Sequence, residues 1–303
     1  IPVTLNNESI VEANETFTVT LSGAPAGVVI TTATATGTIN NDDAATVTIS
    51  GPASQLEGNA GTTQYTATLT LDNPVQGGFM INATLTAGTA TCCGDDFSGP
   101  DVGFTFAGNA GETKMMSATI FGELKVELDE TFIMTLGAPT GGPAGVTTAG
   151  SPFTGTITND DAATVSFSGS VSQSEGTTPQ VFTVNLTNPV DVNVTVEVNS
   201  TDQSAVSPDD FAAVSAQTVT FLAGTTTSQT VNVTIVNDNI VETNEQYTLG
   251  LSNVAATGRS VTITAPSLVT GTIENNDNAT VTLAAAITED DLARIFEPLF
   301  TTK

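Results

Sequence analysis

The sequence predicts an all-β protein: tandem immunoglobulin-like seven-stranded β-sandwiches arranged end to end. Three observations predict it. Thr, Val, Gly, Asn and Ala dominate the 303 residues, a mix that favours strands and turns over helices. Apolar residues alternate with polar ones in short runs, which puts one face of each strand in a core and the other in water. Long phrases also return at a fixed interval, the mark of a repeat architecture.

The interval is read from three phrases. Gly37-Thr38-Ile39-Asn40-Asn41-Asp42-Asp43-Ala44-Ala45-Thr46-Val47 returns 118 residues later, from Gly155 to Val165, and 116 residues after that, from Gly271 to Val281. Glu12-x-x-Glu15-Thr16-Phe17 returns as Glu127-x-x-Glu130-Thr131-Phe132 and as Glu242-x-x-Glu245-Gln246-Tyr247, each time after 115 residues. Glu57-Gly58 matches Glu175-Gly176. A unit of about 117 residues is the size of one sandwich domain.

The phase divides the chain. Residues 1–43 are the back part of one unit, 44–161 a complete unit, 162–277 another, and 278–303 the start of a fourth with an off-pattern tail. We call these units 1 to 4. Linkers as short as Asp42-Asp43-Ala44 leave neighbouring units no room to separate, and the chain reads as an excerpt from a longer array.

In unit 3 seven strands follow in order. They are Ala163–Phe167, Val181–Leu186, Val192–Val198, Thr218–Phe221, Thr230–Ile235, Tyr247–Leu251 and Val269–Ile273, with turn signals such as Asn188-Pro189 between them.

Composition excludes several functions. The chain carries 32 Asp and Glu against 5 Lys and Arg, a formal charge of −27, so it is a poor partner for nucleic acid or anionic membrane. It has no His, which removes the commonest general base, the Ser-His nucleophile and the His-based zinc sites. No apolar run reaches the 18 or so residues a membrane helix needs, and no secretory leader is recognisable. No constellation supports an enzyme. At 39% hydrophobic and only 12% charged, the chain still has the aliphatic content of a folded protein.

The remaining chemistry lies in acidic loops. In unit 3, Glu175 follows the first strand, and Asp202, Asp209 and Asp210 follow the third. Asp238 and Glu242 follow the fifth, and Asp277 the seventh. Strand direction alternates, so loops after odd-numbered strands share one pole of the sandwich. Two bare carboxylates about 5 Å apart repel by roughly 3 kcal/mol at an effective dielectric near 20. A divalent ion relieves that repulsion. Oxygen ligands without His or thiolate favour calcium, and a flexible loop-built site disfavours magnesium.

Two stretches now carry a family resemblance. The first runs from Val219 to Thr225. The second, Val233-Thr234-Ile235-Val236-Asn237-Asp238-Asn239-Ile240-Val241-Glu242-x-x-Glu245, leads to the closing Gly-Thr-Ile-x-Asn phrase. Together these resemble the signature of Calx-beta domains, over residues 1 to about 289. The resemblance implies a sandwich that binds Ca²⁺ at the pole facing the next domain. It implies the metal ligands Glu57, Glu123, Glu127, Asp160 and Asp161 in unit 2, and Glu175, Asp202, Asp238, Glu242 and Asp277 in unit 3.

Two departures stand out. The family's Asp before Gly-Thr-Ala is Ala87 in unit 2, leaving Asp95 or Asp96 to substitute, and unit 3 closes with Asn276-Asp277 rather than Asp-Asp. Unit 1 keeps Glu8, Glu12, Asp42 and Asp43 but lacks its early loops, so weak binding is expected there. Glu15, Glu130 and Glu245, at the start of the sixth strand, read as structural.

The expected role is a calcium-stiffened structural or adhesive module of an extracellular or cell-surface protein, part of a rod or filament. Its partners would be neighbouring repeats of the same chain, with self-association or a cell-surface ligand beyond them. The alternative is a calcium-sensing regulatory module of an exchanger-like membrane protein.

Three features stand outside this scheme. Asp291 to Lys303 resembles a short stretch of sensor histidine kinase ATP-binding domains, with Leu292, Ile295, Phe296 and Leu299 at helical spacing, but no phosphoacceptor His accompanies it. Cys92 and Cys93 are adjacent and cannot staple distant segments. Asn-x-Ser/Thr sequons such as Asn82-Ala83-Thr84 arise by chance in so Asn- and Thr-rich a chain.

Overall fold

The structure is a computed structural model that describes residues 2–282 and Glu289. The tail from Asp291 to Lys303 lies outside the described residues, as does most of the start of unit 4. The described chain is all-β, as the periodicity predicts, and no helix in it is long and apolar enough to cross a membrane.

Unit 1 contributes one hairpin, β1 (Glu15–Thr20) paired antiparallel with β2 (Thr34–Ile39). Unit 2 runs from β3 (Ala45–Ser50), β4 (Ser54–Leu56) and β5 (Gly61–Leu71) to β6 (Phe79–Ala87), β7 (Phe97–Ser98) and β8 (Val102–Phe106). It ends with β9 (Thr113–Gly122), β10 (Glu130–Leu136), β11 (Val146–Ala149) and β12 (Phe153–Thr158). Its two sheets have the orders β4-β12-β10-β6-β8 and β11-β3-β5-β9-β7.

Unit 3 repeats the plan with β13 (Ala163–Phe167), β14 (Val171–Ser174), β15 (Gln180–Leu186), β16 (Val194–Asp202) and β17 (Gln217–Phe221). It continues with β18 (Gln229–Val233), β19 (Glu245–Ala255), β20 (Val261–Ile263) and β21 (Leu268–Glu274). Its sheets are ordered β18-β15-β13-β20 and β14-β21-β19-β16-β17.

All seven strands expected in unit 3 are present. The additions, β14 and β20, come from the first and last strands, each of which breaks and changes sheet. At the breaks, Ser168-Gly169-Ser170 and Ala265-Pro266, the backbone leaves one sheet and joins the other. Each crossing segment pairs in parallel at an edge, β14 with β21 and β20 with β13. Unit 2 does the same, β4 with β12 and β11 with β3. These segments are only three or four residues long, so periodicity alone does not reveal them.

The inward positions alternate as expected. In β5, Tyr65, Ala67, Leu69 and Leu71 are buried, and in β15, Phe182, Val184 and Leu186. The repeated Glu-x-x-Glu-Thr-Phe and Gly-Thr-Ile phrases meet across the sheet: Phe17 pairs with Gly37, Phe132 with Gly155 and Tyr247 with Gly271. A Cβ on any of the three glycines would lie within 2.4–2.5 Å of its partner's ring. The glycine is there because the aromatic ring lies across its backbone.

The hydroxyl beside that ring has changed sides between units. In unit 3 Tyr247 donates to Gln180 Oε1, whose amide nitrogen donates to Val171 O and Thr272 O. In unit 2 Phe132 has no hydroxyl, and Tyr65, at the position of Gln180, donates to Pro52 O instead. Each solution leaves the buried oxygen bonded.

Valines join the units. Val11 of unit 1 is fully buried in the core of unit 2, and Val126 of unit 2 is fully buried in the core of unit 3. Each is held by backbone bonds on both sides. Val11 N donates to Pro74 O and Gln76 N to Val11 O, both at 2.9 Å. Val126 N donates to Pro189 O at 2.9 Å and Asp191 N to Val126 O at 3.1 Å. Both valines lie one residue before a predicted ligand position of the acidic loop, Glu12 or Glu127. The loop that gathers carboxylates is therefore also the loop that docks the next unit.

Candidate metal centre

Each complete unit brings its acidic loops together as two triads. In unit 2 the first is Glu57, Asp160 and Asp161, and the second is Asp96, Glu127 and Glu130. In unit 3 they are Glu175, Asp238 and Asp277, then Asp210, Glu242 and Glu245. Within each triad the candidate ligand oxygens lie within 4.8 Å of one another.

The strands set the first triad. Parallel pairing of β4 with β12 carries on into Glu57, whose N–H donates to Thr158 O at 3.2 Å, and so brings it beside Asp160 and Asp161. Gly58 N donates to Asp160 Oδ1 at 3.1 Å, and Asn59 Nδ2 to Asp161 Oδ1 at 2.6 Å. In unit 3, Glu175 N donates to Glu274 O at 3.0 Å, and Glu175 Oε1 accepts from Asn276 N at 3.0 Å.

The asparagine of the closing phrase ties the two triads of the site together. Asn159 Oδ1 accepts from Glu127 N, and its Nδ2 donates to Asp161 O. Asn41 makes the same two bonds to Glu12 and Asp43, and Asn275 to Glu242 and Asp277. Its role was not read from the sequence, although its recurrence in all three closing phrases was the available signal.

Of the predicted ligands, Glu57, Asp160, Asp161, Glu127, Glu175, Asp238, Glu242 and Asp277 sit in triads. Two stand apart. Asp202 is exposed at the end of β16, and its Oδ1 accepts only a long bond, 3.4 Å, from Ser207 N. The loop runs on and returns Asp210 to the triad, with Asp210 Oδ2 accepting from Val206 N at 2.7 Å. Glu123 turns to Lys125, whose Nζ lies 3.2 Å from it and 2.7 Å from Glu127 Oε2.

Besides Asp210, three further residues join the triads: Asp96, one of the two substitutes the sequence offers in unit 2, and Glu130 and Glu245, which the sequence reads as structural. Asp96 Oδ2 accepts from Thr91 N at 2.5 Å, the counterpart of the Asp210–Val206 bond. Glu130 and Glu245 open β10 and β19 and contribute carboxylates as well as strand structure.

The electrostatics are those of crowded anions. Burial pushes the Glu57 carboxyl up to about 8, helped by Glu127, Asp161, Glu123 and Asp160. Burial pushes Glu130 up to about 8, with Asp96 next, and Glu245 up to about 7, with Asp210 next. Asp161 and Glu242 are also raised, first by burial.

Two oxygens show what the site lacks from protein alone. Glu57 is 3% exposed and Asp161 5%, yet Glu57 Oε1 and Asp161 Oδ2 have no hydrogen-bond partner. Asp277 Oδ2 is likewise buried and unpartnered. A buried carboxylate oxygen without a donor is costly. An all-carboxylate donor set of this kind fits a hard divalent cation, and calcium before magnesium because the ligands sit on loops.

Comparison with protein families gives the matching assignment. The Calx-beta domain matches residues 1–43, 40–161 and 158–278. The chain belongs to the Calx-beta family. The three matched segments are successive Calx-beta domains in tandem. Among solved structures the chain is similar to an apo-form Calx CBD1 domain, at 20% identity over 39% of this chain and 100% of that one, with a TM-score of 0.36. It is also similar to CBD12 from CALX1.2, at 13% identity over 73% of this chain and 96% of that one, TM-score 0.36. A third is the calcium binding domain CBD12 of CALX1.1, at 14% identity over 75% and 98%, TM-score 0.34. A search of curated proteins finds no match.

Proposed function

We propose that this Calx-beta array is a calcium-binding structural module of an extracellular or cell-surface protein, in which Ca²⁺ at each pole orders the loop that docks the next unit. One observation carries the reading: Glu57 Oε1 and Asp161 Oδ2 are buried, unpartnered and clustered with Asp160. A divalent ion supplies the missing partner and the missing positive charge.

The mechanical consequence follows from chain order. Glu127 belongs to a triad, and Val126, next to it, is buried in the following unit. Charge balance among these carboxylates fixes the valine, and the valine fixes the junction; where no protein cation supplies that balance, calcium does. An array stiffened in this way suits a rod or filament in adhesion, where millimolar calcium is available and weak sites suffice.

Calorimetric titration of the chain with CaCl₂ and MgCl₂ tests the reading. Calcium affinity in the millimolar to high micromolar range, with magnesium weaker, supports a structural extracellular role. Micromolar or tighter affinity supports a regulatory sensor instead. No heat with either ion removes the proposal. Small-angle scattering in chelator then shows whether the junctions that lack a protein cation loosen: the particle becomes more flexible if calcium stiffens them.

A further inference from the structure

The two complete units fill corresponding positions differently. Aligned on Glu127 and Glu242, the acidic loop reads Glu123-Leu124-Lys125-Val126-Glu127 in unit 2 and Asp238-Asn239-Ile240-Val241-Glu242 in unit 3. Lys125 thus stands where unit 3 has Ile240. Its ammonium bridges Glu123 and Glu127, whose side chains are 38% and 8% exposed.

The bridge changes which carboxylates meet. In unit 3, Asp238 joins the triad of Glu175 and Asp277. Glu123, at the same position in unit 2, stays out of the triad of Glu57, Asp160 and Asp161. Lys125 holds it instead. A Lys side chain places one positive charge on a flexible stem, which suits it to stand between two carboxylates as a small ion would.

The receiving side of this junction also carries a cation. Arg259 donates to Asp191 through Nε at 2.7 Å and Nη2 at 2.5 Å, and Asp191 N holds Val126 O. A bidentate pair of this kind fixes both orientation and charge. It removes an unpaired carboxylate from the surface that faces Glu127. At the junction between units 1 and 2, the residue following the docked pair is neutral Gln76, and the position of Lys125 is Ile10.

We propose that Lys125, backed by Arg259, is the resident cation of the junction between units 2 and 3, keeping Val126 docked when divalent metal is withdrawn. The Val241 loop of unit 3 has Ile240 in that place and pairs with no such cation among the described residues, so its ordering falls to metal. This rests on the calcium reading above. It divides the array into a junction that is always closed and loops that respond to calcium.

Amide hydrogen exchange on the full chain, with calcium and with EDTA, tests it. Peptides covering 123–128 keep their protection in EDTA, because Val126 N–H stays bonded to Pro189 O. Peptides covering 238–243 lose protection about tenfold or more. In Lys125→Ile the 123–128 loop becomes chelator-sensitive, and in Lys125→Arg it does not. A native-like melt of Lys125→Ile in calcium shows that the variant folds. If 123–128 in the unmodified chain opens in EDTA as far as 238–243, or Lys125→Ile stays protected in EDTA, the proposal is overturned. Calorimetry separates the two failures. Heat with calcium but no difference between loops sinks only this inference, whereas no heat at all sinks the calcium reading beneath it.

Discussion

The ring of Phe132 lies across the α-carbon of Gly155, its partner in the β10–β12 ladder, so closely that a methyl group there would fall 2.4 Å from the ring. This contact links two repeated phrases that sit more than twenty residues apart in sequence. It fixes the end of β12 and hence the position of Asp160 and Asp161.

Gly155→Ala is therefore expected to destabilise unit 2 by about 1–3 kcal/mol, the usual cost of overpacking a filled core. Phe132 is fully buried and cannot swing aside. Gly37→Ala should cost less, since Phe17 is only half-buried. Thermal melts of the two variants check the order.

Asp161→Asn should act in opposite directions with and without metal. It removes one anion from a crowded site, so the metal-free chain gains stability. It also removes a ligand charge, so calcium affinity at unit 2 falls by about tenfold, or about 1.4 kcal/mol. Paired melts in EDTA and in saturating calcium read both effects, and equal shifts in the two conditions would contradict the assignment.

The pH dependence of the metal-free chain follows from raised carboxyls. Glu57 holds its proton up to about 8 in the folded state, against an ordinary value of 4.5. Between those values the folded state binds the extra proton, so stability falls as pH rises from about 4.5 and levels off above about 8. Glu130, also near 8, and Glu245, near 7, add in the same direction. Calcium requires the deprotonated ligands, so its affinity rises with pH through the same window. Melting in EDTA and calcium titration, each at pH 5 and pH 8, measure the two trends.

Asp202→Ala should leave calcium binding at unit 3 unchanged, while Asp210→Ala weakens it severalfold. Asp202 is exposed and outside both triads, and Asp210 lies with Glu242 and Glu245. Calorimetry on the two variants distinguishes these roles. A loss confined to Asp202→Ala would restore the ligand set that the family resemblance implies.

Much of this was legible in the residues. The recurrence of Gly-Thr-Ile and of Glu-x-x-Glu gave the units. Period-two alternation gave the seven main strands of unit 3. Alternating strand direction put Glu175, Asp238, Glu242 and Asp277 at one pole. What stayed hidden was the path of loops. Nothing in periodicity says that the chain after β16 passes Asp202 and turns back, held by Val206 N–H, to deliver Asp210. Nor does it say that Lys125 turns to Glu123 and Glu127.

By itself, then, the sequence determined the repeat, the strands, the anionic pole and the absence of His or enough cations to neutralise it. These depend on spacing and composition, which are local and additive. The tertiary structure decided which oxygens lie within 4.8 Å of one another, which are left without a donor, and that Val11 and Val126 leave their own units for the next core. Those outcomes depend on distances between segments as many as a hundred residues apart, and only packing and hydrogen bonding across the sheets set such distances.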